Sequence, residues 1–305
     1  MIIFARSRFA VCIGMATALL AGCGGSQPPI GAPGAIPQTA ARGHSEAQKG
    51  DLLYVTSSTD TYAYVYMFSY PQGTLVGKIA KQITGLCSDS RGNVYMTQSY
   101  HSTSTIFEYA HAGKKPIATL SDPYNGAYGC AIDPTTGNLA VANAEGSTIV
   151  IYQHARGKPK RYYIWFGPYD VAYDPKGHLY ALGGRGTQFA LLDNGQFRRV
   201  TLDKHVEYSI GAQWDGKYMA LGNAGGYSSK GVIRQYTITG HSGVEEGVMP
   251  FDQEAEHFYI DGSTIVLSDG GGDKIYFLAY PAGGNPTKTI SGIATPGSVT
   301  VSVTQ

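Results

Sequence analysis

An aspartate that closes a short apolar run recurs along this chain at Asp89, Asp133, Asp174, Asp215 and Asp261, at successive separations of 44, 41, 41 and 46 residues. No other feature constrains the fold as tightly, because a repeated unit must present the same faces to its neighbours wherever it occurs. In residues 85–97, 129–143 and 170–182 the unit reads as an apolar strand, a turn begun by Asp and closed by Gly, and a second apolar strand. Second strands fall at 94–97, 139–142, 179–182, 218–221 and 265–267, and third strands at 105–109, 148–152, 189–192, 232–236 and 275–278. A fourth, outer strand follows through a turn of its own, which begins at Tyr109, Tyr152 and Tyr280 and carries Pro116, Pro159 and Pro286.

Four antiparallel strands every 41–46 residues is the spacing of a propeller blade. Residues 51–80 supply a second, third and fourth strand (52–56, 64–70 and 75–79) with no first strand ahead of them, and 298–303 is a first strand with nothing after it. Paired, they make a sixth blade, close the ring and remove the sheet edges that invite aggregation. The expectation is an all-β, monomeric, six-bladed β-propeller of four-stranded antiparallel blades over residues 51–305, closed by the C-terminal strand joining the N-terminal blade. Composition agrees: 41 glycines and 23 tyrosines with two tryptophans suit many short strands joined by tight turns. With 23 Lys plus Arg against 22 Asp plus Glu, the chain generates no long-range field, so bulk charge recruits neither nucleic acid nor an anionic membrane surface.

Residues 1–22 read as an export signal: Arg6 and Arg8 precede an uncharged run at 9–20 that is too short to span a bilayer comfortably. The run ends in Leu20, Ala21, Gly22 and Cys23, which resembles the bacterial lipobox. The resemblance implies cleavage before Cys23 and its acylation, with palmitate among the chains, and hence a lipoprotein held in the lipid bilayer. Buried methylenes contribute about 0.8 kcal/mol each, so several acyl chains make a stable anchor. Gly24 after the Cys implies outer-membrane sorting in a Gram-negative host, which places the protein in the periplasm or at the cell surface. Residues 23–50 are rich in Gly, Pro and Ala and nearly free of large apolar side chains, so they form a flexible tether with a reach of about 30 Å.

The unit Gly85, Asp89, Gly92, Asn93, Val94 and Tyr95, together with the loop at 267–275, resembles the NHL repeat and the related gluconolactonase and senescence-marker six-bladed propellers. Such propellers include lactonases, lyases and pure binding scaffolds. Their first strands line a central channel, and the loops leading into those strands share one face with the loops between second and third strands, the default ligand face. Four residues before each repeated Asp lies one equivalent position per blade at the channel mouth: Gly85, Gly129, Asp170, Gly211 and His257, with Gly297 or Ser298 from the closing strand. Asp170 and His257 are the exceptions in a ring of small residues and form the candidate catalytic pair. Gluconolactonase-like members hold a divalent cation here with a Glu, an Asn and an Asp. The resemblance therefore implies Asp170, Asn125 and, as substitute for a Glu that begins a first strand, Glu256 as ligands for Ca²⁺ or Mg²⁺.

His111, His154 and His178 fall away from this face, whereas His101, His205 and His257 lie on it without metal-ligand spacing. The recurrent Asp residues read as turn formers that accept backbone N–H bonds. The tyrosines that end third strands read as packing between blades, with their hydroxyls in water. Loop aromatics Tyr124, Trp165, Phe166 and Tyr169 cluster on the ligand face of two neighbouring blades and form a candidate contact for carbohydrate or peptide. Cys87 and Cys130, one residue out of phase on successive first strands, are either a disulfide or two small buried apolar residues. Two functions stay open: a membrane-tethered scaffold presenting its rim to a protein, peptide or glycan, without enzyme activity, and a metal-dependent lactonase-like hydrolase at the mouth.

Overall fold

The computed structural model describes residues 50–100, 103–224 and 230–304. The export signal, Cys23, nearly all of the tether and His101 lie outside the described residues. Six antiparallel sheets stand in a ring, and their innermost strands are Pro296–Ser302, Gly85–Ser88, Ala127–Ile132, Pro168–Tyr173, Ser209–Trp214 and His257–Asp261, each touching the next. In blade 1 the closing strand Pro296–Ser302 lies inside Leu52–Ser58, followed outward by Ala63–Ser69 and Leu75–Ala80. Its register sets Val301 opposite Leu53 and Val299 opposite Val55. Blades 2 to 6 follow in chain order, so the protein is an all-β, six-bladed β-propeller closed by its C-terminal strand. Blade 5 departs from four strands: Thr201–Leu202 adds a short fifth, parallel to the outer strand Ser242–Phe251. Among the described residues no helix is long and apolar enough to cross a membrane.

The core follows from the two-residue period of a strand, which sends alternate side chains to opposite faces. Every blade is sandwiched between two others, so its middle strands bury both faces and read as continuous apolar runs: Leu139–Asn143 is buried at every position. Leu139 and Val141 pack with Tyr95 and Ile106 of blade 2, whereas Ala140 and Ala142 pack with Val171 and Ala181 of blade 4. Each of the six blade interfaces carries one such cluster. A fully buried Val, Leu or Ile contributes roughly 1.5–3 kcal/mol.

Tyrosine places the interfaces further out. Tyr109, Tyr152 and Tyr236 at third-strand ends are at most 1% exposed. The hydroxyls of Tyr152 and Tyr236 do not reach water as the sequence led us to expect; they donate to the backbone carbonyls of Ser121 and Lys204 in the preceding segment, at 3.1 and 3.0 Å. A buried phenol that finds a carbonyl avoids the cost of an unmade hydrogen bond.

The repeated aspartates sit in the turns between first and second strands. Asp89 accepts the Arg91 and Asn93 N–H groups, Asp174 those of Lys176 and His178, and Asp215 those of Lys217 and Tyr218. At Asp133 and Asp215 burial opposes ionisation. Hydrogen bonds outweigh it, from Thr136 and Thr135 in one case and mainly Tyr280 and Gln235 in the other, and hold both carboxyls below their ordinary value.

Candidate functional site

The innermost strands are joined around the ring by side chains rather than by a backbone ladder. Ser298 Oγ of blade 1 accepts the Leu86 N–H of blade 2 at 3.0 Å, and Ser88 Oγ donates back to the Val301 carbonyl at 2.7 Å. Thr84 and Thr97 of blade 2 donate to the Ala127 and Tyr128 carbonyls of blade 3, both at 2.6 Å. A Cys87–Cys130 disulfide crosses the same interface with a Cα separation of 5.6 Å. Gln213 of blade 5 makes a paired bond to Ile260 of blade 6, donating at 2.7 Å and accepting at 2.8 Å.

Asp170 and His257 belong to this set of stitches. Asp170 Oδ2 of blade 4 accepts the Ala212 N–H of blade 5 at 2.9 Å. The Val299 N–H of blade 1 points at His257 Nδ1 of blade 6 at 3.5 Å. The His257 Nε2 faces Asp170 Oδ2 across 3.8 Å. The pair therefore meets over the first strand of blade 5, which lies between them.

The glycines of the ring make this approach possible. A Cβ on Gly211, whose φ of +136° already favours glycine, would stand 3.2 Å from Asp170 Oδ2 and 3.4 Å from His257 Nε2. A Cβ on Gly129 would stand 1.9 Å from Asp170 Oδ1. Register shifts between Pro168 and Asp170, between Ser209 and Gly211, and between Ala127 and Cys130 put bulges at the mouth ends of three first strands. Such bulges re-aim side chains at a sheet rim.

Asp170 and His257 sit where two hollows meet. A recess of about 100 Å³ opens outward, lined also by Tyr128, Tyr169 and Glu256. A cavity of about 270 Å³ runs inward along the first strands past Val171, Ala172 and Tyr173 towards Trp214. Asp170 is 4% exposed, and Glu256 stands exposed at the rim. The Tyr169 ring packs 5.7 Å from Tyr128, and its hydroxyl donates to the Glu256 carbonyl at 3.4 Å. Burial first, then the nearby Asp170 and Glu256 carboxylates, push the Tyr169 phenol well above its ordinary range, so it remains a neutral donor.

These residues do not fit the divalent cation that the gluconolactonase resemblance implies. Asn125 is not among the residues lining the recess, and its Oδ1 is buried without a hydrogen-bond partner. Among the described residues no three His, Cys, Asp or Glu side chains gather closely enough to hold a metal ion. A hard cation takes six to eight oxygen ligands, and the one buried carboxylate here already accepts a backbone N–H. Of the other histidines, His205 is exposed and bonds Thr187 at 2.9 Å, His178 bonds Asp174 at 2.7 Å, and His111 bonds Ser302 at 2.7 Å.

The four aromatics expected to form one ligand platform separate into four environments. Phe166 is a correction: it is 4% exposed and packs in the core between blades 3 and 4, because it follows an outward residue and takes the opposite side of the chain. Tyr169 belongs to the mouth. Trp165, 47% exposed, packs edge-on against Phe166, with the Arg199 guanidinium 5.9 Å from its ring. Tyr124 lies 4.6 Å from the Arg161 guanidinium, whose other neighbour is the ring of Tyr163 at 4.5 Å. Tyr163 is 68% exposed. Sequence reasoning missed Arg161, Tyr163 and Arg199; the signal was the outer strand Lys160–Tyr163, which carries no buried residue.

No protein-family model matches the chain, and no curated protein matches it in sequence. Solved structures do resemble it. A chain of a nidogen/laminin complex aligns with a TM-score of 0.65 at 14% identity, over 84% of this chain and all of that one. A putative 6-phosphogluconolactonase from Bacteroides fragilis aligns with a TM-score of 0.56 at 14% identity, over 84% of this chain and 85% of that one. A protein from Lactobacillus plantarum aligns with a TM-score of 0.56 at 15% identity, over 83% and 99%. At these identities the likeness is one of fold, and the fold they share with this chain is the β-propeller.

Proposed function

We propose that this protein is a lipid-anchored β-propeller that acts as a binding module, presenting its rim to a glycan, peptide or protein rather than catalysing a reaction. One observation carries the reading: the two reactive side chains at the mouth are committed to the backbone of the next blade, whereas Tyr163 and Trp165 stand in solvent beside the loop that leads into the same face. Exposed aromatic side chains with ordered neighbours are what recognition surfaces use. The neighbours in fold are compatible with it, since one comes from a complex of two proteins. Another is a putative 6-phosphogluconolactonase, and the hydrolase alternative rests on the Asp170–His257 pair.

The test sets binding against turnover in the full chain. Immobilised saccharides and peptides should retain the protein, and the Tyr163→Ala/Trp165→Ala double variant should bind at least tenfold more weakly. Lactones incubated with the protein and millimolar Ca²⁺ or Mg²⁺ should hydrolyse no faster than in buffer. Metal-dependent lactone turnover abolished by Asp170→Ala would replace this reading with the hydrolase.

A further inference from the structure

The proposal that follows rests on the binding-module reading and names the ligand class. Most arginines with described partners sit on carboxylates: Arg91 on Asp89, Arg156 on Glu108, Arg198 on Asp193 and Arg234 on Glu245. Arg161 and Arg199 sit on aromatic rings instead, Arg161 between Tyr124 and Tyr163 and Arg199 by Trp165. Among the described residues neither has a carboxylate within 4.0 Å. Lys160, on the same outer strand, likewise lies over a ring, that of Tyr162 at 4.9 Å.

Stacking orders a guanidinium without neutralising it and without using its in-plane N–H donors. The edge of Arg161 therefore remains free to take an anion in two parallel hydrogen bonds. Tyr163 and Trp165, at 68% and 47% exposure, offer apolar ring area beside these charges. The ligand that satisfies both features carries flat C–H faces and carboxylates in alternation. We propose that the Tyr124–Arg161–Tyr163 cluster, on the blade 2 side of the outer strand Lys160–Tyr163, and the Trp165–Arg199 pair, in the cleft between blades 3 and 4, together bind one acidic polysaccharide of uronate type that crosses the outer rim of blade 3, stacking sugar faces on Tyr163 and Trp165 and pairing carboxylates with Arg161 and Arg199.

Single-stranded nucleic acid also combines ring faces with anions, but its binding draws on an extended basic groove. Here the two arginines stand on opposite sides of one outer strand, on a chain whose formal net charge is +1. The export signal expected at residues 1–22 further sets them outside the compartment that holds nucleic acid.

Affinity electrophoresis of the full chain tests this with three probes: polygalacturonate, dextran as a neutral polysaccharide, and oligothymidylate. Polygalacturonate should retard the wild type, and dextran and oligothymidylate should not. Arg161→Ala/Arg199→Ala and Trp165→Ala should each raise the apparent Kd at least tenfold, and the double arginine variant should show a shallower dependence on salt. Arg161→Lys, which keeps charge but loses the planar stack, should fall between. Unchanged melting temperatures, with Tyr163→Ala as a second aromatic variant, establish that the folds are intact. Equal retardation by dextran sinks the acidic ligand while keeping a glycan-binding module. Binding to oligothymidylate alone, no retardation by polygalacturonate, or wild-type affinity in the variants overturns the proposal. Lactone turnover in the same preparation would overturn the binding-module reading itself.

Discussion

At the scale of single residues, the mouth is defined as much by its missing side chains as by Asp170 and His257. Gly129→Ala would drive a Cβ into Asp170 Oδ1 at 1.9 Å. We expect a loss of about 1–3 kcal/mol, the usual cost of overpacking, read as a lowered melting temperature; an unchanged temperature would show that Asp170 is not wedged there. The turn aspartates make a different prediction. The Asp133 carboxyl is held below its ordinary value of 3.8, so its contribution to stability is complete above that value in the unfolded chain and is lost as pH falls through the lower folded value. Asp133→Asn should therefore lower the urea midpoint at pH 7 and change it little at pH 2, and an equal loss at both would contradict the assignment. Counting from the repeated Asp placed Asp170 and His257 in one ring of positions at the mouth, because the repeat fixes register; that they approach each other over Gly211 is visible only in the fold. It gave no access to Arg161 or Tyr163, whose exposure depends on which side of an outer strand the neighbouring blade leaves open. Phe166 was misjudged because adjacent residues in an extended loop part to opposite sides, one outward and one to core.

At the scale of elements, the strands were legible because both faces of a blade are buried and the turns between first and second strands each carry an Asp followed by Gly. What the sequence hid were the bulges at the mouth and the two-residue strand Thr201–Leu202, which pairs in parallel with a distant outer strand and has no periodicity of its own. The interblade stitches were equally hidden, since Thr84 just ahead of a strand and Thr97 and Gln213 within strands look ordinary until the neighbouring blade supplies a carbonyl. The Cys87–Cys130 disulfide adds a covalent stitch across residues 43 apart. Cross-linking a loop of that length removes unfolded-state entropy worth about 4 kcal/mol, with measured bridges spanning about 2–4. Cys87→Ala/Cys130→Ala should lower stability by that amount in denaturant titrations under non-reducing conditions. Free thiols at both Cys87 and Cys130 in the unfolded wild type, or no loss of stability, would count against the bridge.

At the scale of the whole molecule, the described residues form one closed ring, and the lipid anchor proposed ahead of it stands or falls on Cys23. Cys23→Ser should abolish incorporation of labelled palmitate and move the protein from the membrane fraction to the soluble one, and retention in the membrane would refute the lipid anchor. The ring sets the Ala212 N–H on Asp170 and the Val299 N–H against His257, and the reading proposed above places the working surface on the rim rather than in the channel. That division is the central claim, and thermal unfolding of the full chain with and without millimolar Ca²⁺ or Mg²⁺ tests it most directly. Losing the Asp170 carboxylate leaves the Ala212 N–H unpaired at a cost of about 1–3 kcal/mol, and at this chain length each kcal/mol shifts the melting temperature by roughly 2–4 °C. The account predicts that Asp170→Ala melts several degrees below the wild type and that neither protein responds to metal. A rise in the wild-type melting temperature with metal, absent in Asp170→Ala, would contradict it.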